Sequence, residues 1–251
     1  MSFDRNLWSD TFSRGNVPTF DCPRCGRATL KSDSKKLKVF EPKYSNDRHS
    51  HNDWEPEWII ERFVIVLECS TSKCGEIVIM SGDTSIEQVF DDDEDRWVYE
   101  QMLRPQAVFP GLPIIKLPEE LPRSVRAPIK RAFRLFWSDL GASASRLRTS
   151  VERILDDFKI PATKADGSFA TLDTRIKAFK QVDASQADTF DALRHVGNVG
   201  THGQTLEREA LLDAFEIYQD ALEELYSKKK YKAKIEALKK KIIAAKGKYK
   251  P

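Results

Sequence analysis

The chain has 251 residues, of which 40% are hydrophobic and 32% charged, a composition that supports a folded core and excludes wholesale disorder. No apolar run approaches the roughly 20 residues of a membrane-spanning helix, and four cysteines in a chain of this length are too few for a disulfide scaffold. The formal net charge is +2, but residues 228–251 carry a net charge of +10 and the other 227 residues −8.

The beginning of the chain shows no secretion signal. The first five residues lack a basic segment followed by an apolar one, so we expect a cytoplasmic protein without a membrane span. Residues 1–20 have no clear periodicity and are interpreted as an irregular lead-in.

Two runs rich in β-branched residues predict strands, one over Trp58–Leu67 and one over Glu76–Met80. The polar stretch Ser45–Asp53 is interpreted as a loop. The acidic run Asp91–Asp95 is interpreted as a loop or a solvated face.

Two closely spaced cysteine pairs accompany these strands. A pair separated by two to four residues can place both thiolates on one metal ion, and a following glycine permits the tight turn. We therefore predict that residues 1–104 form a small β-rich zinc ribbon. Its single Zn²⁺ is structural, because four protein ligands leave no position open for water. A disulfide pair and four free thiols are the alternatives. The four predicted ligands are Cys22, Cys25, Cys69 and Cys74.

A proline-rich segment follows over residues 105–122. Proline lacks a backbone N–H and is excluded from helix interiors and central strands. The segment is therefore predicted to be a linker, and the domain boundary is placed there. Its prolines are Pro105, Pro110, Pro113, Pro118 and Pro122.

Beyond Pro122 the apolar residues recur at helical spacing. We predict an all-α bundle over residues 123–227, with Thr171 capping its third helix. The fold class is then α+β, a β-rich ribbon followed by a bundle of about five helices. The predicted helices cover residues 123–140, 143–158, 171–182, 186–202 and 206–226.

The fourth of these helices carries a polar row. Arg194, Asn198 and His202 follow one another at intervals of four residues, so a helix places a cation, an amide and an imidazole on one face. Such a row can bind a phosphate and move its protons. The alternative is a hydrogen-bond network between helices. Three glycines nearby would allow another backbone or a ligand to approach: Gly197, Gly200 and Gly203.

The chain resembles the family called "domain of unknown function 4145" over roughly residues 115–227. The resemblance rests on the two cysteine pairs, the proline-rich segment, Leu147–Glu152 and Leu193–His202. The family is similar to HEPN proteins, helical bundles of prokaryotic toxins and phage-defence systems. Many of these are dimeric, metal-independent ribonucleases. Their signature is an arginine, a polar residue, three further residues and a histidine.

The resemblance assigns roles to individual positions. Asn198 matches the polar residue and His202 the histidine, but Gly197 occupies the arginine position and argues against activity. Arg194, one turn earlier, is the nearest replacement. Arg148 and Glu152 match an internal arginine and glutamate of the family. They either face the fourth helix or form only a pair within their own helix.

The resemblance therefore implies an RNA-binding protein of bacterial defence or stress response, and an endoribonuclease if the site is active. His202 would then move the proton as a 2′-hydroxyl attacks the adjacent phosphate. We expect a homodimer in which two fourth helices pair and both copies of His202 face one basic cleft. The alternative is a non-catalytic dimeric adaptor, whose ribbon and basic tail bind DNA or a protein partner of a defence system.

The basic tail, residues 228–251, has a weak apolar stripe among its eleven lysines and is predicted to be an amphipathic helix. Tails of this kind bind nucleic acid, acidic proteins or membrane surfaces. We expect RNA, more than DNA, to contact Lys228, Lys229 and Lys230. A solvated helical extension and a disordered tail are the alternatives.

Overall fold

The computed structural model describes residues 3–92, 95–199 and 205–244, with the backbone alone at positions 229, 230 and 233. Its contacts divide the chain into two compact units. Unit 1 consists of Met1–Ile114 and Lys130–Ser143, and unit 2 of Ile115–Ile129 and Ala144–Pro251.

Unit 1 contains an antiparallel five-stranded sheet with the strand order β1-β5-β4-β3-β2. The predicted strand at Glu76–Met80 is the start of a 15-residue strand, and the predicted strand at Trp58–Leu67 begins only at Arg62. The strands are β1 (Phe12–Ser13), β2 (Leu30–Phe40), β3 (Arg62–Cys69), β4 (Ile77–Asp91) and β5 (Arg96–Phe109), with the one-turn helix α1 (Lys43–Asn46) after β2.

One face of this sheet forms the core of unit 1. In β3 the buried residues alternate with exposed or half-buried ones, as expected for a strand that is buried on one side. An aromatic cluster adds to the core, with Trp8 packed edge-on against Phe136 and Phe12 packed edge-on against Trp137. The buried residues of β3 are Phe63, Ile65, Leu67 and Cys69.

The prediction that Pro105 belongs to a linker is wrong, because β5 continues through it to Phe109. The pairing of β5 with β4 shifts by one residue here, which leaves Gln106 as a bulge. A bulge tolerates the missing N–H of proline. Gly82 lies opposite Pro105 and lets the two backbones approach closely, since a Cβ at Gly82 would lie 2.0 Å from the Arg104 carbonyl oxygen.

The sheet ends on one side at β2, which pairs only with β3 among the described strands. Most of its side chains are exposed or half-buried, and its register shifts between Ser32 and Leu37. The ion pair between Lys36 Nζ and Glu68 Oε1, 2.5 Å long, joins it to β3.

Unit 2 is helical, and the five predicted helices are present, which confirms the α+β class. Thr171 caps α4 as predicted, accepting a hydrogen bond from the Thr174 N–H at 3.2 Å. The basic segment adds a sixth helix after a π-helical turn at Glu223–Lys228. The helices are α2 (Arg123–Leu135), α3 (Leu140–Asp157), α4 (Leu172–Phe179), α5 (Ala184–Val199), α6 (Arg208–Leu222) and α7 (Lys229–Ala244). The second half of α2 and the first turn of α3 cluster with unit 1.

Two buried polar contacts tie the helices of unit 2 together. The hydroxyls of Tyr218 on α6 and Ser150 on α3 are 2.7 Å apart in the core, and burial raises the pKa of Tyr218. The buried guanidinium of Arg175 on α4 donates to Asp156 at 2.7 Å and to the Ile160 carbonyl at 2.9 Å. Each contact satisfies groups that would otherwise be costly to bury.

Within the described residues, no helix has both the length and the apolar character needed to cross a membrane.

Candidate metal centre and helical-bundle site

The four cysteines lie at two tight turns of unit 1. Cys22 and Cys25 precede β2, while Cys69 ends β3 and Cys74 precedes β4. The Gly26 N–H donates to the Cys22 carbonyl at 3.0 Å, and the Cys74 N–H donates to the Thr71 carbonyl at 2.9 Å. Both turns need a left-handed residue, which glycine supplies without steric cost. These residues are Gly26, with φ of +58°, and Gly75, with φ of +57°.

The sulfur atoms are arranged as a tetrahedral metal site requires. The Sγ atoms of Cys22 and Cys74 are 3.8 Å apart, as are those of Cys25 and Cys69, and all four lie within 4.8 Å of one another. A tetrahedron of thiolates about 2.3 Å from a metal has edges of about 3.8 Å. None of the four forms a disulfide. The cluster that the spacing predicted can therefore hold a metal ion, with each close pair combining one cysteine from each turn.

The thiols of this cluster differ in acidity. Burial raises the pKa of Cys22 to about 12, whereas the backbone N–H of Arg27, by donating to the sulfur, lowers the pKa of Cys25 to about 7. Four thiolates in such a small volume repel one another unless a cation lies between them. Metal binding is thus expected to displace the remaining protons.

The predicted row on α5 is only partly described. The Arg194 guanidinium contacts two carboxylates, Asp191 at 2.8 Å and Asp173 of α4 at 3.8 Å, and it lies 3.0 Å from the ring nitrogen of His195. The pKa of Asp173 lies below its usual value, chiefly because its carboxylate accepts a hydrogen bond from Lys177. The positive charge of Arg194 lowers this pKa further. Asn198 is half-buried one turn further along α5. His202, Gly200 and Gly203 lie outside the described residues.

Gly197 marks a close contact between α5 and α3. It is buried, and a Cβ added to it would lie 2.6 Å from the Arg148 Cβ and 3.3 Å from the Ala144 carbonyl oxygen. Arg148 also forms an ion pair with Glu152 at 3.2 Å. Both interpretations of Arg148 therefore hold, since it faces the fourth helix and pairs within its own. Among the described residues no partner binds its buried Nε, and about a third of its side chain, 32%, is exposed.

This contact predicts a cost for any side chain at position 197. Gly197→Ala should destabilise unit 2 by about 1–3 kcal/mol, because the added methyl group overpacks the contact with Arg148. Denaturant unfolding followed by the helical circular-dichroism signal measures the change. In the double variant with Arg148→Gly, which removes the clashing Cβ, the cost should be smaller than the sum of the single costs. Additive costs would show that Arg148 does not crowd position 197.

The predicted RNA-binding lysines lie where the π-helical turn meets α7. Lys228 forms an ion pair with Glu224 on the same turn, and this carboxylate raises the pKa of Lys228. For Lys229 and Lys230 the backbone starts α7, but their side chains lie outside the described atoms.

A feature that was not predicted from the sequence is the long hairpin that β4 and β5 form beyond the sheet. The two strands pair with each other from Glu87↔Glu100 to Asp91↔Arg96. The pairing of β3 with β4 ends at Asp83 of β4, and the pairing of β1 with β5 ends at Met102 of β5. The signal was present in part. An acidic run between two stretches of alternating β-prone residues is typical of a hairpin.

Two family models match this chain. Residues 10–108 match the one described as Domain of unknown function (DUF8608), and residues 130–246 match the one described as Domain of unknown function (DUF4145). The second match supports the family to which the sequence was compared, and it extends through α7. The first covers the strands and all four cysteines. No curated protein and no solved structure matches the chain.

Proposed function

We propose that the protein is a HEPN-like RNA-binding protein of bacterial phage defence or stress response, and that it cleaves RNA without a catalytic metal. The observation that carries the proposal is the contact between Arg148 and Gly197. Gly197 stands where the HEPN signature has its arginine, and the Cβ and Cδ of Arg148 on α3 lie where a side chain at position 197 would begin. In this proposal the Arg148 guanidinium, which also pairs with Glu152, takes the part of the missing arginine.

The residues then divide the reaction as follows. A 2′-oxygen of RNA bonds to the adjacent phosphorus as the P–O5′ bond breaks, which leaves a 2′,3′-cyclic phosphate and a 5′-hydroxyl. His202 accepts the proton of the 2′-hydroxyl or gives a proton to the leaving 5′-oxygen, and Asn198 orients the phosphate. Arg148 stabilises the charge that develops on the phosphate oxygens. Its buried Nε and its partly exposed guanidinium suit this role. Arg194, predicted from spacing to bind the phosphate, instead holds Asp191 and Asp173.

In this proposal the metal of the cysteine cluster is Zn²⁺ and its role is structural. Four thiolates are the donor set that zinc prefers in structural sites. The cysteines link three places in unit 1: the turn before β2, the end of β3 and the turn before β4. The reaction involves no step at this metal.

The basic tail supplies sequence-independent affinity in this proposal. Lys228, Lys229 and Lys230 contact RNA phosphates, and bound counterions are released. Affinity for single-stranded RNA then falls with salt, by about 0.7 log units per log unit of salt for each phosphate contacted.

Incubation of the full chain with bacterial total RNA tests the cleavage. We expect cleavage that survives EDTA, spares 2′-deoxy substrates, and falls by about 10²–10⁴-fold in His202→Ala. His195→Ala is the matched control, because His195 lies on α5 with an exposed side chain, and it should retain the activity. Cleavage that EDTA abolishes, or that His202→Ala leaves intact, would contradict the proposal.

One observation favours the alternative of a non-catalytic adaptor. Arg194 contacts Asp191 of its own helix and Asp173 of α4, so two carboxylates already lie beside the guanidinium that was predicted to bind phosphate. An adaptor would bind a nucleic acid or a protein of a defence system through the bundle, the cysteine-bearing unit and the tail. Undegraded RNA after incubation with a protein that binds it would favour this alternative.

A further inference from the structure

The hairpin formed by residues 87–100, hereafter the arm, presents aromatic side chains to solvent. Phe90 and Trp97 are cross-strand partners with ring centroids 5.6 Å apart, and the Gln88 amide donates to the Tyr99 hydroxyl at 2.8 Å. All four side chains lie on one face of the hairpin, since cross-strand partners share a face. Trp97 is 67% exposed, Tyr99 52% and Phe90 45%.

A two-stranded hairpin is marginally stable by itself in water. An ordered aromatic face that is exposed on such a hairpin is typical of a surface that binds a partner.

The second uncovered surface is α7. Every described side chain of this helix except Ile235 is exposed, and a helix of 16 residues is marginal in water without packing. Tyr231, Ile235, Leu238 and Ile242 follow helical spacing and form one apolar stripe. This stripe therefore also requires a partner surface.

The two surfaces have opposite charge. The arm contains seven acidic residues and one arginine, a net charge of −6, and α7 contains seven lysines and one glutamate, a net charge of +6. Glu87 and Glu100 are cross-strand partners on the face opposite the aromatic side chains, whereas Asp92 and Asp95 are exposed at the turn of the arm.

The lengths of the two surfaces are also similar. Residues 87–91 of the arm span about 14 Å as a strand, and the stripe from residue 231 to residue 242 spans about 17 Å as a helix.

We infer that α7 of one chain docks on the aromatic face of the arm of a second copy, and that the reciprocal exchange forms a twofold dimer. The apolar stripe covers Phe90, Trp97 and Tyr99, while the flanking lysines neutralise the acidic residues of the arm. A twofold exchange creates this contact twice and satisfies both uncovered surfaces of each chain. The inference goes beyond the proposed function and does not depend on RNA binding.

This arrangement differs from the dimer that the sequence suggested through the fourth helix. Close approach of two fourth helices would use Gly197, but Arg148 of the same chain already occupies the space beside it. The arm and α7 are free of such a conflict, because their apolar faces are exposed.

Charge reversal in the full chain tests the dimer. One variant carries Asp92→Lys and Asp95→Lys at the exposed turn of the arm, and the other carries Lys232→Glu and Lys239→Glu beside the stripe. Sedimentation and native mass spectrometry should show wild type at twice 28.8 kDa, and each variant alone should dimerise at least about tenfold more weakly. Mixing the two variants should restore a heterodimer, since every contact is then complementary.

Lys240→Glu is the control variant, because residue 240 lies on the side of α7 opposite the stripe, and it should remain dimeric. All variants change exposed side chains, and circular dichroism verifies that each one is folded. A monomeric wild type would overturn the inference. A dimer that survives both reversals, or variants that stay apart when mixed, would overturn it as well.

Discussion

Cys69→Ser is expected to abolish metal binding and unfold the part of unit 1 that the cysteines join. A serine hydroxyl is a poor substitute for a thiolate, and three remaining ligands leave the tetrahedral site open to water. Structural zinc sites contribute about 10–16 kcal/mol of apparent binding free energy, which exceeds the net stability of most domains. Elemental analysis should find about one zinc per wild-type chain and almost none in the variant.

Two further measurements sharpen this result. X-ray absorption of the wild type should show four sulfurs about 2.3 Å from the metal, and limited proteolysis of the variant should cut within residues 21–80. Ser70→Ala, an exposed substitution in the same turn, should keep the metal. The helical signal of unit 2 should persist in both variants. Full metal occupancy in Cys69→Ser, or a metal bound through nitrogen or oxygen, would refute the four-cysteine site.

Gly82→Ala should be the most damaging substitution at any described glycine. The added Cβ would lie 2.0 Å from the Arg104 carbonyl oxygen and 2.8 Å from the Gln106 nitrogen, both backbone atoms of the paired strand. Because a backbone cannot rotate away as a side chain does, β4 and β5 must separate at the bulge. We expect a loss of about 3 kcal/mol or more in the free energy of unfolding of unit 1.

Tryptophan fluorescence during denaturant unfolding measures this loss, since all five tryptophans belong to unit 1. Gly15→Ala is the matched control, because the nearest atom to its added Cβ is the Ser13 hydroxyl oxygen at 3.7 Å. Its stability should stay within about 0.5 kcal/mol of wild type. Equal stabilities for the two variants would mean that the strands do not approach closely at Gly82.

The bulge also explains why the linker predicted for residues 105–122 begins too early, since β5 continues to Phe109. Proline in a paired strand is a strong local argument against that strand. This rule does not hold at Pro105, because Pro105 is accommodated by Gly82 and a register shift on the neighbouring strand β4. β2 was missed for a related reason, since its lysine-rich, solvated sequence lacks the apolar alternation that identified β3.

The helices and the cysteine cluster were predictable because their signals are local. Apolar spacing located all five bundle helices, and the spacing within each cysteine pair identified the four potential ligands. The role of Gly197 was not predictable in this way. Its explanation is Arg148, which lies 49 residues earlier on another helix. The sequence could therefore name both residues but could not decide whether they meet.

The edge strands of the sheet affect how readily the protein aggregates at high concentration or during synthesis. An exposed strand edge can recruit strands from other molecules and begin aggregation. Here β1 is only two residues long, and β2 combines a register shift with exposed lysines that repel a second copy of the same edge. These features disfavour edge-to-edge pairing between copies, and the lysines involved are exposed residues outside the core: Lys31, Lys35 and Lys38.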